Sequence, residues 1–322
     1  MLLDIESWAA QIRAGDIRAI ARAITAIEDH DPQSENLMKK IFPDTGRAFV
    51  LGMTGAPGTG KSTLVDRLTS LYRQRGDTVG IVAVDPTSPF TGGAILGDRI
   101  RMQGHASDAG IFIRSMATRG FLGGLSRATG DVALVLDAAG KQFILIETVG
   151  VGQDEVDIVR LADCTIVLLV PGLGDDVQNM KAGLMEIADI FVLNKSDHEG
   201  ADRLESELES MLHLAPARND WQPRIVRTVA TENRGVEELA LAIAEFREQS
   251  GRSADCEGKK IEHWERRLLA MAQEIFLERA ISHTDGQAAL TSLAEEVANR
   301  KKDPYEAVRE LLARADALRA TR

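Results

Sequence analysis

The chain has 322 residues, of which 44% are hydrophobic and only 4% aromatic, and its formal net charge is −11. This length exceeds one average domain but fits one α/β domain with helical additions, whose core must be built from aliphatic side chains. The charge argues against DNA or RNA as the main partner, because phosphate binding requires clustered cations. Two distant cysteines and short apolar runs argue against a disulfide scaffold and a membrane span. The N-terminus lacks the basic start of a secretion signal, which predicts a cytoplasmic protein.

The first 44 residues are predicted to form short helices as an N-terminal extension. Apolar residues such as Ile20 and Ile24 recur there at helical spacing. Gly15-Asp16 is expected to separate the first two helices, and Asp31-Pro32 to end the second.

Residues 45–250 alternate short apolar runs with amphipathic helices. Continuous apolar runs of this kind are typical of parallel strands that are covered on both faces. The predicted fold class is therefore α/β, with a mostly parallel sheet flanked by helices and its ligand at the carboxyl ends of the strands. The predicted strands are Ala48–Met53, Thr78–Val84, Ile111–Ser115, Gln142–Ile146, Thr165–Val170, Ile190–Leu193 and Arg224–Thr228.

Residues 251–322 are predicted to form a C-terminal helical arm. A polar loop, Ser250–Lys260, is expected to precede an apolar stripe that includes Trp264 and Leu268. Asp303-Pro304 provides a cap and a first-turn proline for the last helix. The stripe has two open explanations, since it could pack back onto its own domain or meet a second subunit.

A complete G-x-x-x-x-G-K-S motif follows the first predicted strand and precedes an amphipathic helix. Its glycines let backbone N–H groups converge on a β-phosphate, and the helix adds its positive N-terminal end. Lys61 is expected along the β/γ oxygens, and the Ser62 hydroxyl is expected to bind Mg²⁺. The motif predicts a P-loop nucleoside triphosphatase. Its predicted nucleotide-binding residues are Gly55, Ala56, Pro57, Gly58, Thr59, Gly60, Lys61, Ser62 and Thr63.

A second motif, N-K-x-D, follows the strand predicted at Ile190–Leu193. It consists of Asn194, Lys195 and Asp197, with one serine between the last two. A carboxylate at Asp197 can accept from both N1–H and the exocyclic amine of guanine, whereas adenine would leave that carboxylate unpaired. Placed downstream of a phosphate loop, the motif predicts that GTP is preferred over ATP.

Acidic residues follow two other strands and are candidates for the metal site. Asp85 ends one predicted strand and leads through a glycine-containing loop to Asp98. Glu147 closes another strand and could reach the metal or polarise the attacking water. Carboxylates near phosphates are natural ligands of Mg²⁺, directly or through water. Gly150, three residues after Glu147, can offer its N–H to the γ-phosphate.

Taken together, these segments resemble the GTPases associated with methylmalonyl-CoA mutase, the MeaB/ArgK family whose human relative is the MMAA protein. The resemblance covers nearly the whole chain. The segments that carry it are the phosphate loop, Asp85-Pro86-Thr87-Ser88 with the run from Gly92 to Arg99, Glu147 to Gln153, Asn194-Lys195-Ser196-Asp197 and Pro171 to Lys181.

The resemblance implies a GTPase chaperone that binds an adenosylcobalamin-dependent acyl-CoA mutase and gates cofactor delivery by an adenosyltransferase. It also implies a homodimer that uses the C-terminal arm. Gln178 and Lys181 would otherwise be surface residues, but the resemblance makes them candidate catalytic groups, supported by Asp175. They would act when the partner folds this third switch over the phosphates. The chain has no D-x-H-x-x-G segment, so a cobalamin site of its own is not expected.

Two alternatives remain open at the level of the sequence. One is a GTPase that inserts nickel into enzymes, although such proteins tend to carry histidine-rich tracts and the six histidines here are scattered. The other is a nucleotide-bound scaffold without significant turnover. The carboxylates of Asp85, Asp98 and Glu147 argue against the scaffold.

Overall fold

The computed structural model describes residues 4–85, 103–105, 107–117, 127–148, 158, 161–172, 187–214, 221–252, 256–281 and 286–320. Within these ranges the helices are α1 (Ile5–Arg13), α2 (Ile17–Glu28), α3 (Pro32–Ile41), α4 (Lys61–Gln74), α5 (Arg127–Ala138), α6 (Ala201–Leu214), α7 (Val236–Arg252), α8 (Cys256–Ile281), α9 (Gly286–Ala298) and α10 (Pro304–Ala320). The strands are β1 (Phe49–Thr54), β2 (Val79–Asp85), β3 (Ile111–Ala117), β4 (Phe143–Glu147), β5 (Cys164–Leu169), β6 (Ile190–Leu193) and β7 (Arg224–Arg227).

The strands form one sheet in the order β3-β2-β4-β1-β5-β6-β7, and each neighbouring pair is parallel. Every strand predicted from the apolar runs is present, with its ends within two residues of the expected positions. The parallel α/β fold is therefore confirmed. β1 lies between β4 and β5, so the chain that leaves β1 meets the ends of both neighbours. This arrangement places several strand ends around one point, as required for a nucleotide site.

The two faces of the sheet carry separate cores because successive side chains of a strand point to opposite sides. On β4, Leu145 packs into the core beneath α4 and α7, whereas Ile144 packs into the core beneath α2, α3 and α5. On β1, Gly52 faces the same core as Ile144. A Cβ at Gly52 would lie 2.5 Å from Ile158 Cγ1, so the backbone of β1 is closely covered there. A third cluster joins α6 to β5 and β6.

The breaks between the N-terminal helices lie where the sequence predicts them, at Gly15-Asp16 and Asp31-Pro32. Asp16 caps α2 by accepting a hydrogen bond from the backbone N–H of Ala19 at 2.7 Å, and Asp31 caps α3, which has a proline in its first turn. The buried faces of these helices share a core with the sheet. Trp8 anchors α1 to α2, because its indole Nε1–H donates to the carbonyl of Ala19 at 3.0 Å.

The chain divides into one compact unit, Met1–Lys259, and a second, Lys260–Arg322. The prediction of a polar loop at Ser250–Lys260 is wrong for most of that segment, because α7 extends to Arg252 and α8 begins at Cys256. Polar side chains do not interrupt a helix, and Gly251 alone is tolerated at a cost of about 1 kcal/mol.

The second unit contains a helix pair, α9 and α10, that is held by a buried apolar contact surface and by ion pairs. Leu293 and Ala307 are buried in this unit. Lys302 lies in the turn between the helices, 2.9 Å from a carboxylate oxygen of Glu296, and it also pairs with Glu310. These two carboxylates raise the pKa of Lys302. As predicted, Asp303 caps α10, accepting hydrogen bonds from two backbone N–H groups.

Candidate functional site

The phosphate loop joins β1 to α4, and its glycines are required by geometry. Gly55, Gly58 and Gly60 all have positive φ, a region that other residues rarely adopt. Gly55 and Gly60 also lie against other parts of the chain. A Cβ at Gly55 would lie 2.4 Å from the carbonyl oxygen of Leu168, and one at Gly60 would lie 2.4 Å from Asn194 Nδ2. The loop is therefore packed against the ends of β5 and β6.

Lys61, the first residue of α4, lies inside this loop. Its side chain is buried, and its ammonium donates to the carbonyl oxygens of Gly55 at 2.7 Å and Ala56 at 3.1 Å. Thr59 is also buried and its hydroxyl donates to the Ala56 carbonyl at 2.9 Å. These contacts fix a positive charge within a concave loop that precedes a helix N-terminus, an arrangement suited to binding a polyphosphate.

Ser62, in the first turn of α4, contacts Glu147, the last residue of β4. The Ser62 hydroxyl donates to Glu147 Oε1 at 2.6 Å, and Glu147 is only 5% exposed. The register explains the approach, since Glu147 pairs with Met53 of β1, near the start of the loop. On its other side, Glu147 pairs with Ala83 of the neighbouring strand β2. That strand ends two residues later, at Asp85. An oxygen-only pair of this kind, one hydroxyl and one carboxylate, fits the ligand preference of Mg²⁺.

The N-K-x-D motif is attached to the phosphate loop. The Asn194 amide is 2% exposed, and its Nδ2 donates to the Thr59 carbonyl at 2.7 Å. Lys195 has a φ of 54°, and its ammonium donates to the Gly58 carbonyl at 2.8 Å. The Asp197 side chain is 39% exposed. Asn194 and Lys195 therefore bind the phosphate loop, whereas the Asp197 carboxylate is accessible to the base of a nucleotide.

Two further residues belong to this arrangement and were not identified from the sequence. Asn194 Oδ1 accepts from the Thr228 hydroxyl at 3.0 Å and from the Ala230 N–H at 3.2 Å. Both donors lie just after β7, at the same edge of the sheet as the other motifs. Their position after a strand was the only available signal, because the segment has no distinctive composition.

Several predicted site residues cannot be placed in this geometry. Asp98, Gly150, Asp175, Gln178 and Lys181 lie outside the described residues, as does the side chain of Asp85. Within the described ranges there is no cluster of three or more histidine, cysteine, aspartate or glutamate side chains that could hold a metal ion. No helix in the described part of the chain is both long enough and apolar enough to cross a bilayer.

The comparisons with known proteins agree with this geometry. Residues 20–285 match the family model described as methylmalonyl Co-A mutase-associated GTPase MeaB. A protein of Pyrococcus horikoshii named as a GTPase is 48% identical over 309 residues, which cover 94% of this chain and 96% of that protein. The GTPase ArgK of Escherichia coli is 36% identical, with 94% of this chain and 93% of ArgK covered.

Two further matches extend the comparison to an animal protein and to a solved structure. The mitochondrial methylmalonic aciduria type A homolog of Caenorhabditis elegans is 32% identical, over 80% of this chain and 69% of that protein. A crystal structure of a protein named LAO/AO transport system kinase superposes with a TM-score of 0.73 at 29% identity, covering 97% of this chain and 98% of that one. By its site geometry and by these matches, the chain is a GTPase that belongs to the MeaB family of methylmalonyl-CoA-mutase-associated GTPases.

Proposed function

We propose that this GTPase is a chaperone of an adenosylcobalamin-dependent acyl-CoA mutase of the methylmalonyl-CoA mutase type. It uses GTP binding and hydrolysis to gate cofactor delivery by an adenosyltransferase and to protect or reactivate the mutase. The description of the matching family model, which names that mutase, supports the proposal. The cobalamin belongs to the partner in this scheme, and the chaperone contributes only the nucleotide cycle.

The 2.6 Å contact between Ser62 and Glu147 is the observation that carries the hydrolytic part of the proposal. It brings a phosphate-loop hydroxyl and a strand-end carboxylate together beside Lys61. We assign Mg²⁺ to this position, with Ser62 and Glu147 as its nearest side chains and Asp85 and Asp98 as further acidic candidates. When bound, the ion would neutralise charge on the β- and γ-phosphates. Lys61 supplies a second positive charge from within the loop, and Gly150 is assigned to the γ-phosphate through its N–H.

Guanine selection is assigned to the segment after β6. Asn194 and Lys195 bind carbonyl oxygens of the phosphate loop, so they fix the distance between the phosphate site and the base site. The partly exposed Asp197 carboxylate then accepts from the two donors on the guanine edge. In this arrangement, the base site is anchored to the phosphate loop through these two side chains.

Gln178 and Lys181 are proposed to complete the catalytic site when the mutase binds, with Asp175 as their support. Basal hydrolysis is therefore slow and the partner accelerates it, as an added cationic side chain does in other GTPases. The Lys181→Ala variant should lose the acceleration and keep nearly the same affinity for GDP.

The test is GTP turnover measured with and without purified candidate cobalamin mutases. An acceleration of about tenfold or more by one mutase, absent in Lys181→Ala, would support both the partner and the third switch. A basal rate that no mutase changes would contradict the chaperone role. Full stimulation of Lys181→Ala would contradict the assignment of Lys181 alone.

The C-terminal arm is proposed to form a homodimer. Helix α8 exposes Leu268, Leu269 and Phe276, each more than half accessible in the single chain. Apolar residues grouped on one helix mark a contact surface more often than isolated ones do. The double variant Leu269→Asp, Phe276→Asp should sediment as a monomer. The matched control is Leu241→Asp, at an equally exposed leucine on α7, which should leave the dimer intact. A double variant that stays dimeric would exclude this surface.

A further inference from the structure

An arginine of the phosphate-loop helix contacts the segment that follows β7. Arg67 Nε donates to the Ala230 carbonyl at 3.2 Å, and its Nη2 lies 3.5 Å from the Thr231 carbonyl. A guanidinium presents several N–H groups in one plane, so it can serve two adjacent carbonyls in a way that a lysine cannot. Arg67 therefore connects α4 directly to the turn at Ala230–Glu232.

The same turn is held from its other side by the guanine motif. The Ala230 N–H donates to Asn194 Oδ1 at 3.2 Å, while Asn194 Nδ2 donates to the Thr59 carbonyl at 2.7 Å. Thr59 precedes α4 by two residues, and α4 carries Arg67. The hydrogen bonds thus form a closed ring in which Ala230 is bound through both its C=O and its N–H.

The turn has little freedom of its own. Val229 and Arg234 form an isolated antiparallel bridge, and both Asn233 and Gly235 have positive φ. A Cβ at Gly235 would lie 2.0 Å from the carbonyl oxygen of Arg227, so the chain passes against the end of β7. A small displacement at Ala230 would therefore be transmitted to Asn194 instead of being absorbed locally.

We propose that Arg67 is a positioning residue for guanine selectivity. The hydrogen bonds of its guanidinium go to the backbone carbonyls of Ala230 and Thr231. It acts through Ala230, which aligns Asn194 and hence the segment that ends in Asp197. This inference rests on the proposed guanine site at Asn194–Asp197. Removing the guanidinium should weaken guanine binding and leave phosphate binding by the loop almost unchanged.

The experiment compares the affinities of Mg²⁺-GDP and Mg²⁺-ADP for the wild-type protein, Arg67→Met and Arg67→Gln. Methionine retains much of the length of the side chain without any N–H donor, whereas glutamine retains a donor that can reach one carbonyl. Arg75→Met is the matched control at the C-terminal cap of α4, where the Arg75 guanidinium approaches Glu237 at 3.9 Å. Thermal unfolding of each nucleotide-free protein is measured in parallel.

Arg67→Met should bind GDP about tenfold more weakly, as expected for the loss of a charge-assisted hydrogen bond, with little change for ADP. Arg67→Gln should recover part of the selectivity, and Arg75→Met should equal the wild type. Equal losses for both nucleotides, or a lower melting temperature with unchanged selectivity, would overturn the role of Arg67. If Arg67→Met does not fold, wild-type selectivity in Arg67→Gln despite faster hydrogen exchange of the 228–235 amides would also overturn it. A wild-type protein that does not distinguish GDP from ADP would instead overturn the guanine site itself.

Discussion

The contact between Gly60 and Asn194 predicts that two glycines of the same loop respond differently to alanine. Both Gly58 and Gly60 have positive φ, at 79° and 94°. Among the described residues, a methyl group at Gly58 has no neighbour within 4 Å, whereas at Gly60 it would lie 2.4 Å from Asn194 Nδ2. Gly58→Ala therefore carries only the backbone cost of a left-handed residue, about 1–2 kcal/mol.

Gly60→Ala carries the same backbone cost and also displaces the Asn194 amide from its hydrogen bonds. Each of its three bonds, with Thr59, Thr228 and Ala230, contributes about 0.5–1.5 kcal/mol, so the total loss should be about 2.5–6.5 kcal/mol. Urea unfolding of the nucleotide-free variants measures both values. In an Asn194→Ala background the two glycine substitutions should cost the same, because the obstructing amide is gone. Equal costs for both substitutions in the wild-type background would refute the steric argument.

Two further predictions concern the metal pair and an ion pair at the opposite end of the sheet. Glu147→Gln keeps the shape of the side chain but removes the charge beside Ser62. GTP turnover should therefore fall about 10–100-fold and require more Mg²⁺. Unchanged turnover across a Mg²⁺ titration would exclude Glu147 from the metal site. Arg73 binds both carboxylate oxygens of Asp108, at 2.8 and 2.9 Å, and this pairing lowers the pKa of Asp108, with a further contribution from the Gly110 N–H. Since the pKa of Asp108 is lower in the folded than in the unfolded protein, its ionised carboxylate stabilises the fold above the unfolded-state pKa. This stabilisation is lost as the pH falls through the folded-state pKa. Asp108→Asn should therefore melt a few degrees below the wild type at pH 7. The difference in melting temperature between the two proteins should become smaller below about pH 4. A difference that does not change with pH would contradict the ion pair.

The parts of this fold that were predictable are those governed by local chemistry. Buried parallel strands such as β5 and β6 must be continuously apolar, and a helix start such as Asp303-Pro304 combines a side-chain acceptor with a fixed φ. The phosphate loop was predictable because its positive φ angles strongly favour glycine. In each case the physical requirement acts within a few neighbouring residues.

The parts that were missed depend on contacts between distant segments. The 194–228 and 67–230 contacts join residues that are 34 and 163 positions apart, and nothing in either local sequence indicates them. The wrong loop at Ser250–Lys260 has a different cause. A polar, glycine-containing segment was interpreted as a break, although neither polarity nor a single glycine ends a helix.

The placement of the first 44 residues determines how far the protein can be shortened. Ile20, Ile24 and Leu37 are fully or almost fully buried against the same face of the sheet as Ile144. A chain that began at the phosphate loop would leave that face open to water, with an apolar surface prone to self-association. The minimal enzyme is therefore longer than its motifs, and on the ribosome these first helices gain their main helical partner only when α5 has emerged.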